Sequence, residues 1–288
     1  MRVVVVLFLI ALPALFGQDS AKIGDLSEAE DLYSHTDYRA SLTLLREGGG
    51  SSGKAYALAG QDYYMLGNFK KASQAFERAL AAEPANSEYA LWLGRSYGRR
   101  AETASPLFAP KYAAKARTCF EKAVALDPNS EDALSDLFSY YLEAPGFLGG
   151  GYKKAEQIAN RIAQLDPSQG HVAQAELAEK RKEFDTAEEE LRWAVQVAPT
   201  KVGRLLDLAQ YLARRGQIAE SEAAFDQAAK IAPNSPRVDF ARAQLYIEQH
   251  RNLAQAKALL NKYLQSNLTS NDPSRAQAEK LLKEVAGA

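Results

Sequence analysis

The spacing of small, aromatic and proline residues between positions 53 and 86 is the feature that most limits how this chain can fold. The spaced residues are Gly60, Tyr63, Ala72, Phe76, Ala79 and Pro84, at steps of 3, 9, 4, 3 and 5. Apolar residues at such steps form stripes of helical period on two successive segments. Gly67-Asn68 interrupts the pattern between the segments, and Pro84 cannot continue a helix. The stretch therefore predicts two paired helices that approach closely where small residues meet.

The same spacing recurs further along the chain. It is found at Ala209, Leu212, Ser221, Phe225, Ala228 and Pro233, and again at Ala175, Ala178, Ala187, Leu191, Ala194 and Pro199. A period of about 34 residues with this pattern resembles the tetratricopeptide repeat. The resemblance implies an all-α fold, a right-handed superhelical solenoid of antiparallel helix pairs.

The rest of the chain fits the same scheme with local departures. We expect a tetratricopeptide array of about six repeats over residues 53–271, with insertions between paired helices at 99–110 and 144–151. The first insertion contains Pro106 and Pro110, so a continuous helix is not expected there. We expect residues 18–52 to form a degenerate N-terminal half-repeat with a Gly/Ser link, and residues 272–288 a C-terminal capping helix. Terminal units of an array are atypical because one face meets solvent.

The first seventeen residues read as a targeting segment. Arg2 precedes an apolar run that ends near Phe16, too short for a comfortable membrane span. Small Gly17 then leads into polar sequence. These features predict a signal peptide over residues 1–17 and an exported protein, in the periplasm or secreted, with no stable membrane span after its removal. An uncleaved N-terminal anchor is the alternative.

One loop carries a second resemblance. The run YYLEAPGFLGGGYKKA, with its APGFLGGG core, is similar to the inter-helix loop of a group of bacterial exported tetratricopeptide proteins. Its glycine turn either lets Phe147 and Leu148 fold back on the hairpin or presents them to a partner. Lys153 does not directly follow the last glycine and no Ser or Thr comes next, so the loop is not a phosphate-binding P-loop.

Composition excludes several classes of function. The chain has 35 basic and 36 acidic residues and a formal charge of -1, which argues against a dedicated surface for nucleic acid or anionic membrane. The three histidines fall in different hairpins, no metal-ligand spacing is found, and no nucleophile elbow is present. We therefore predict no catalytic residue, no metal site and no cofactor. An enzyme would need titratable groups that converge from different repeats.

Candidate binding residues follow from the resemblance, which implies that the first helices of successive repeats line a concave groove. The candidates are Gln61, Tyr64, Trp92, Arg95, Arg99, Ser139, Gln210, Phe240 and Gln244. Polar members would meet the backbone of an extended peptide or a partner helix, and the aromatic ones would anchor it, unless they serve only in packing. Ala57, Gln61 and Trp92 lie where family members that clamp a chaperone tail carry a set of basic and amide groups, so such a clamp is not expected.

Together these features predict a non-catalytic protein–protein interaction scaffold or adaptor of the bacterial cell envelope, with a protein or peptide partner. The alternative is a small-molecule or solute-binding component whose pocket is closed by the two inter-helix insertions. An open groove favours the first function, and a deep enclosed pocket favours the second. The sequence specifies neither the partner nor the oligomeric state.

Overall fold

A computed structural model of the chain describes residues 18–48, 51–269 and 272–286. Within these ranges the chain forms fifteen α-helices and one short 3₁₀ turn, with no β-strand. The segment 1–17, for which a signal peptide is predicted, lies outside the described residues, as do two glycines of the predicted link. The all-α fold class is confirmed.

The helices follow one another as pairs joined by short turns, and each helix packs against the next one along the chain. Their bounds are α1 Gln18–Ser34, α2 Tyr38–Glu47, α3 Gly53–Met65, α4 Phe69–Ala82, α5 Ser87–Thr103, α6 Ala109–Leu126, α7 Glu131–Glu143, α8 Tyr152–Leu165, α9 Pro167–Lys180, α10 Phe184–Val197, α11 Val202–Arg214, α12 Ile218–Ile231, α13 Pro236–Glu248, α14 Leu253–Gln265 and α15 Arg275–Ala286. Stacking of successive pairs gives a solenoid.

Local sequence signals set the helix boundaries. Ser52, Asn68 and Ser130 each precede a helix and accept a hydrogen bond from the backbone N–H three residues later. Such caps satisfy backbone donors that have no partner within the first helical turn. Gly67 has φ +74°, a conformation that glycine adopts without strain, and it reverses the chain between α3 and α4.

The first insertion is accommodated mainly by longer helices. Helix α5 continues to Thr103 and α6 begins at Ala109, so only residues 104–108 separate them. Pro110 lies in the first turn of α6, where a proline is tolerated because no intrahelical N–H bond is needed there. The interruption is thus shorter than the segment 99–110.

The second insertion forms the 3₁₀ turn Gly146–Leu148. The carbonyl oxygen of Leu148 accepts hydrogen bonds from Arg117 Nη1 at 3.0 Å and Tyr140 Oη at 2.9 Å. Leu148 is half-buried, whereas Phe147 is 81% exposed. The expectation that Phe147 folds back on the hairpin is therefore wrong, because backbone hydrogen bonds hold the turn and leave this ring outside.

Close packing within a pair occurs where the sequence places a glycine opposite a phenylalanine. A Cβ atom added to Gly60 would lie 2.7 Å from the Phe76 ring, and one added to Gly94 would lie 2.6 Å from the Phe120 ring. Both rings are buried. The absence of a side chain at these two glycines therefore makes room for an aromatic ring in the partner helix.

A buried carboxyl group joins the N-terminal hairpin to the array. Ser41 Oγ on α2 donates a hydrogen bond to Asp62 Oδ2 on α3 at 2.7 Å. Both residues are buried, and Asp62 Oδ1 has no hydrogen-bond partner. Burial raises the pKa of Asp62 to about 8, and the hydrogen bond from Ser41 only partly opposes this shift.

Substitution of the two α5 glycines gives a matched test of this packing. Gly94→Ala should lower the free energy of unfolding by about 1–3 kcal/mol, because the added methyl group meets the Phe120 ring. Nothing lies within 4 Å of a Cβ added to Gly98. Gly98→Ala should therefore raise the free energy by about 0.5–1 kcal/mol through helix propensity alone. Urea unfolding followed by circular dichroism measures both, and equal effects would contradict the packing argument.

The buried carboxyl group predicts a pH dependence of stability. The folded pKa of Asp62 is raised to about 8, whereas an unfolded Asp titrates near ~3.9. The contribution of the protonated Asp62 to the free energy of unfolding is therefore complete below about pH 4. It is lost as the pH rises towards 8. Asp62→Asn should gain a few kcal/mol relative to the wild type between about pH 5 and about pH 8 in thermal unfolding. The exposed Glu189→Gln is the control, and a parallel pH response of Asp62→Asn and the wild type would refute the assignment.

Candidate binding groove

The first helices of successive pairs lie side by side. Helix α3 contacts α1 and α5, α9 contacts α7 and α11, and α13 contacts α11 and α15. In the described part of the chain, contacts of this extent are not formed between consecutive second helices. Elements are closer together on the inner side of a curved stack, so the first helices line its concave face.

At the N-terminal end of this face, aromatic rings cluster around Trp92. Its ring centroid lies 5.3 Å from that of Tyr64 in an edge-on arrangement and 5.9 Å from that of Phe76 in a stacked one. Trp92 and Tyr64 are half-buried. Each ring therefore packs against the core on one side and faces the groove on the other. Such a ring can serve both in packing and in contact with a partner.

Arg95 lies on this cluster and is held by two carboxylates. Its guanidinium group is 5.1 Å from the Trp92 ring centroid, and it forms ion pairs with Asp136 and Asp132 of α7. Burial alone would lower the pKa of Arg95, but the two carboxylates outweigh this effect and raise it. The pKa of Asp136 is raised by its own burial. Arg95 therefore joins α5 to α7 rather than standing free for a partner.

The remaining N-terminal candidates differ in environment. Arg99 lies 5.0 Å from the Phe69 ring centroid and pairs with Glu102 on the same helix. Gln61 is half-buried on α3, and Ser139 is exposed on α7. The structure thus gathers Tyr64, Trp92, Arg95 and Arg99 into one cluster and places Ser139 on the neighbouring helix.

The middle of the groove is acidic. Glu176 lies on α9 and has no ion pair or hydrogen bond in the described structure, although the nearby Glu143 and Glu179 pair with Lys180 and Arg214. Glu176 is accessible to solvent, but the surrounding helices bury it enough to raise its pKa to about 7. The charges of Asp207, Glu143 and Glu179 add to this shift. A cation bound beside Glu176 would lower its pKa again.

At the C-terminal end the groove deepens into a cavity of about 630 Å³. Its lining includes the candidates Gln210, Phe240 and Gln244, which come from α11 and α13. Leu206 adds an apolar wall, and Lys280 contributes a cation from α15. Three of the nine groove candidates therefore lie around one recess, which α15 helps to enclose.

Some features of this face are not indicated by repeat spacing. Asp136 forms a hydrogen bond with Arg95, although the spacing indicates only Ser139 as a groove residue on this helix. The residues of α15 that line the C-terminal cavity also lie outside the repeat pattern. Glu176 is different, because it directly follows the spacing residue Ala175. The candidates Gln61, Arg95, Gln210 and Gln244 follow the equivalent small residues in their own repeats, so repeat spacing could have identified Glu176.

The two loop candidates lie apart from the first-helix face. Phe147 and Leu148 occupy the turn between α7 and α8, at the edge of the solenoid. In the described part of the chain, no group of three or more potential ligands could hold a metal ion. Among these same residues, no helix has the length and apolar character needed to span a membrane.

Comparisons with solved structures support the same architecture. A tetratricopeptide repeat protein from Parabacteroides merdae is 14% identical, with a TM-score of 0.57 over 93% of this chain and 99% of that one. A thermophilic TPR protein from Thermus thermophilus is 20% identical, with a TM-score of 0.54 over 66% and 98%. The pilF protein of Pseudomonas aeruginosa is 18% identical, with a TM-score of 0.51 over 81% and 98%. At these identities the similarity concerns the fold.

Sequence comparisons identify the repeat itself. No curated protein matches the chain as a relative. Models of the tetratricopeptide repeat match residues 53–86 and, in two overlapping registers, residues 172–236 and 206–276. The first match has the same bounds as the stretch in which the spacing was recognised. The chain therefore carries tetratricopeptide repeats, stacked as an all-helical solenoid.

Proposed function

We propose that this chain is a non-catalytic scaffold or adaptor of a bacterial cell envelope that binds a partner peptide or helix in its concave groove. Tetratricopeptide repeats generally mediate protein–protein interactions, which supports the class of function. The assignment to an exported compartment rests on the apolar run and the small Gly17 near the N-terminus.

The observation that carries the proposal is that two sites of different chemistry lie on one concave face. The aromatic cluster around Trp92 lies towards its N-terminal end, and the 630 Å³ cavity lies at its C-terminal end. A ligand that uses both must be long, as an extended peptide or a helix is. A small solute would occupy only the cavity.

The polar groups of the groove suit a peptide backbone. Gln210 and Gln244 project from successive first helices into the same cavity, each with an amide that can donate and accept hydrogen bonds. Phe240, which packs 5.1 Å from the Tyr263 ring centroid, gives this recess a rigid apolar floor. Because these side chains stand on packed helices, little ordering cost is expected on binding.

The acidic centre of the groove indicates the charge of the partner. Glu176 forms no ion pair within the described chain, and the nearby cation, Arg214, is paired with Glu179 and only weakly opposes the raised pKa of Glu176. A Lys or Arg of the bound segment would supply the missing counter-charge. The proposed ligand is thus a segment with a basic residue between two apolar stretches.

A selection from a displayed peptide library tests the proposal directly. Peptides enriched on the wild type should bind at least tenfold more weakly to the triple variant Glu176→Gln, Gln210→Ala, Gln244→Ala, because it removes groove contacts without opening the core. The matched control is Glu189→Gln, Gln157→Ala, Gln255→Ala, whose three residues are exposed on second helices. Fluorescence anisotropy measures the affinities, and circular dichroism verifies folding.

The outcomes of this test are distinct. Weaker binding by the groove variant alone supports the concave face. Equal binding by both variants, or no enriched peptide on the wild type, would overturn the proposed function.

The pKa of Glu176 gives the groove a pH-dependent preference for basic peptides. Glu176 titrates at about 7 in the free protein, so a cationic ligand meets a charged carboxylate above this pH and a neutral one below it. Affinity for a Lys-containing peptide should therefore rise between about pH 6 and about pH 8. Glu176→Gln should flatten this profile, and calorimetry at several pH values would measure it. A profile unchanged by the substitution would exclude Glu176 as the contact.

A further inference from the structure

Among the described residues, the most exposed large apolar side chains lie in turns between paired helices. Leu66 begins the turn between α3 and α4, Leu107 and Phe108 lie between α5 and α6, and Phe147 lies between α7 and α8. Leu107 is 80% exposed and Phe147 is 81% exposed. Large apolar residues this accessible are costly to leave in water, and several together mark an interaction surface.

The three turns are neighbours on one edge of the solenoid. Residues from Leu66 to Lys70 and from Arg100 to Phe108 line opposite sides of one shallow recess. The hydrogen bond from Arg117 Nη1 to the Leu148 carbonyl then attaches the third turn to α6. The first two turns thus meet across the recess, and the third is joined to the same hairpin through the middle of α6. We call segments 66–71, 104–111 and 146–154 together the lysine–apolar edge.

The charge of this edge is uniformly positive. The three segments contain Lys70, Lys71, Lys111, Lys153 and Lys154, and no Asp or Glu. Lys70, Lys111 and Lys153 are exposed and form no ion pair in the described part of the chain. By contrast, Glu83, Asp127 and Asp166 lie in three of the turns between successive pairs. The overall charge of -1 thus conceals a local cluster of positive charge at this edge.

We infer that the lysine–apolar edge docks on the surface of an anionic lipid bilayer as a peripheral contact. Each lysine near such a surface strengthens binding about fivefold, the equivalent of about 1 kcal/mol. Apolar side chains that enter the boundary between headgroups and acyl chains add to this attraction. The expectation from net charge alone, that no anionic-membrane surface is present, does not take account of this distribution.

The shape of the edge favours a bilayer over an acidic protein. Phe147 stands at the tip of a 3₁₀ turn, and Leu107 stands on a separate turn with its side chain largely uncovered. Separate projecting apolar groups can each enter a deformable interfacial layer. A folded protein partner would need a matching pocket for each one.

Docking in this way leaves the groove accessible. The edge is built from helix ends, whereas the concave face is built from the sides of the first helices. The edge spans residues 66–154 only, whereas the groove continues to α13. The N-terminal half of the solenoid would therefore meet the membrane surface with the groove open to one side, and the membrane contact would be independent of the proposed peptide site.

Sedimentation with lipid vesicles tests the inference. Residues 18–288 are mixed with vesicles of phosphatidylcholine alone or of an equimolar mixture with phosphatidylglycerol. We expect binding to the mixed vesicles only, and weaker binding when salt shortens the Debye length from about 10 Å at 0.1 M to about 3 Å at 1 M. The charge variant is Lys70→Gln, Lys111→Gln, Lys153→Gln, and the apolar variant is Leu107→Ser, Phe147→Ser.

Matched controls separate the edge from general surface effects. The charge control is Lys230→Gln, Lys257→Gln, Lys283→Gln, and the apolar control is Val197→Ser, Ile231→Ser, which lies at the ends of second helices. Both edge variants should lose at least tenfold in vesicle affinity, whereas both controls should keep it. All substituted side chains are exposed, so circular dichroism should show every variant folded.

Three results would overturn the inference. The first is that the wild type does not bind anionic vesicles. The second is that the edge variants and their controls lose vesicle affinity equally. The third is that binding depends on the lysines but not on Leu107 and Phe147. The last result would indicate a purely electrostatic surface of the kind that an acidic protein can use. None of them bears on the groove, because the peptide assay contains no lipid.

Discussion

The contact between a phenylalanine ring and a helix backbone that carries no side chain sets the spacing on which this solenoid depends. Phe76 lies in the space that a Cβ of Gly60 would occupy, and Phe120 bears the same relation to Gly94. Each ring is buried and fixes how closely two paired helices approach. Because each pair cannot bury its apolar face alone, the pairs must also stack, and the stack creates the concave face.

Hydrogen bonds between repeats help to fix the position of each helix pair relative to the preceding one. The Tyr97 hydroxyl group bonds to Glu77 of the preceding pair, and the Tyr141 hydroxyl group bonds to Glu121 in the same relation. In each case the aromatic ring packs in the apolar core, and the hydroxyl group reaches the edge of the core. There it donates a hydrogen bond to a carboxylate. These bonds couple consecutive pairs at equivalent positions, so the first helices keep a constant offset along the groove.

Features that depend on a single helix pair could be predicted from the sequence. The spacing from Gly60 to Pro84 predicted both helices, their turn and their packing, because each depends on residues close together in the chain. Features that depend on the rotation between pairs could not be predicted in this way. The ion pair of Arg95 with Asp136 and the exposure of Phe147 belong to this second class. A change of one helical position between neighbours redirects such a side chain by about 100°.

The distribution of charge follows from the same division between edges and faces. The three turns of the lysine–apolar edge carry lysines beside exposed apolar residues, whereas Glu83, Asp127 and Asp166 lie in three turns between pairs. Acidic residues near a helix start interact favourably with the helix dipole, as Glu131 and Asp132 do in α7. The position of the acidic residues is therefore explained by the helix dipole. The position of Lys70, Lys111 and Lys153 is not explained by an interaction of this kind. Since these lysines also lack carboxylate partners in the described structure, their position is better explained by an external anionic surface than by the stability of the solenoid.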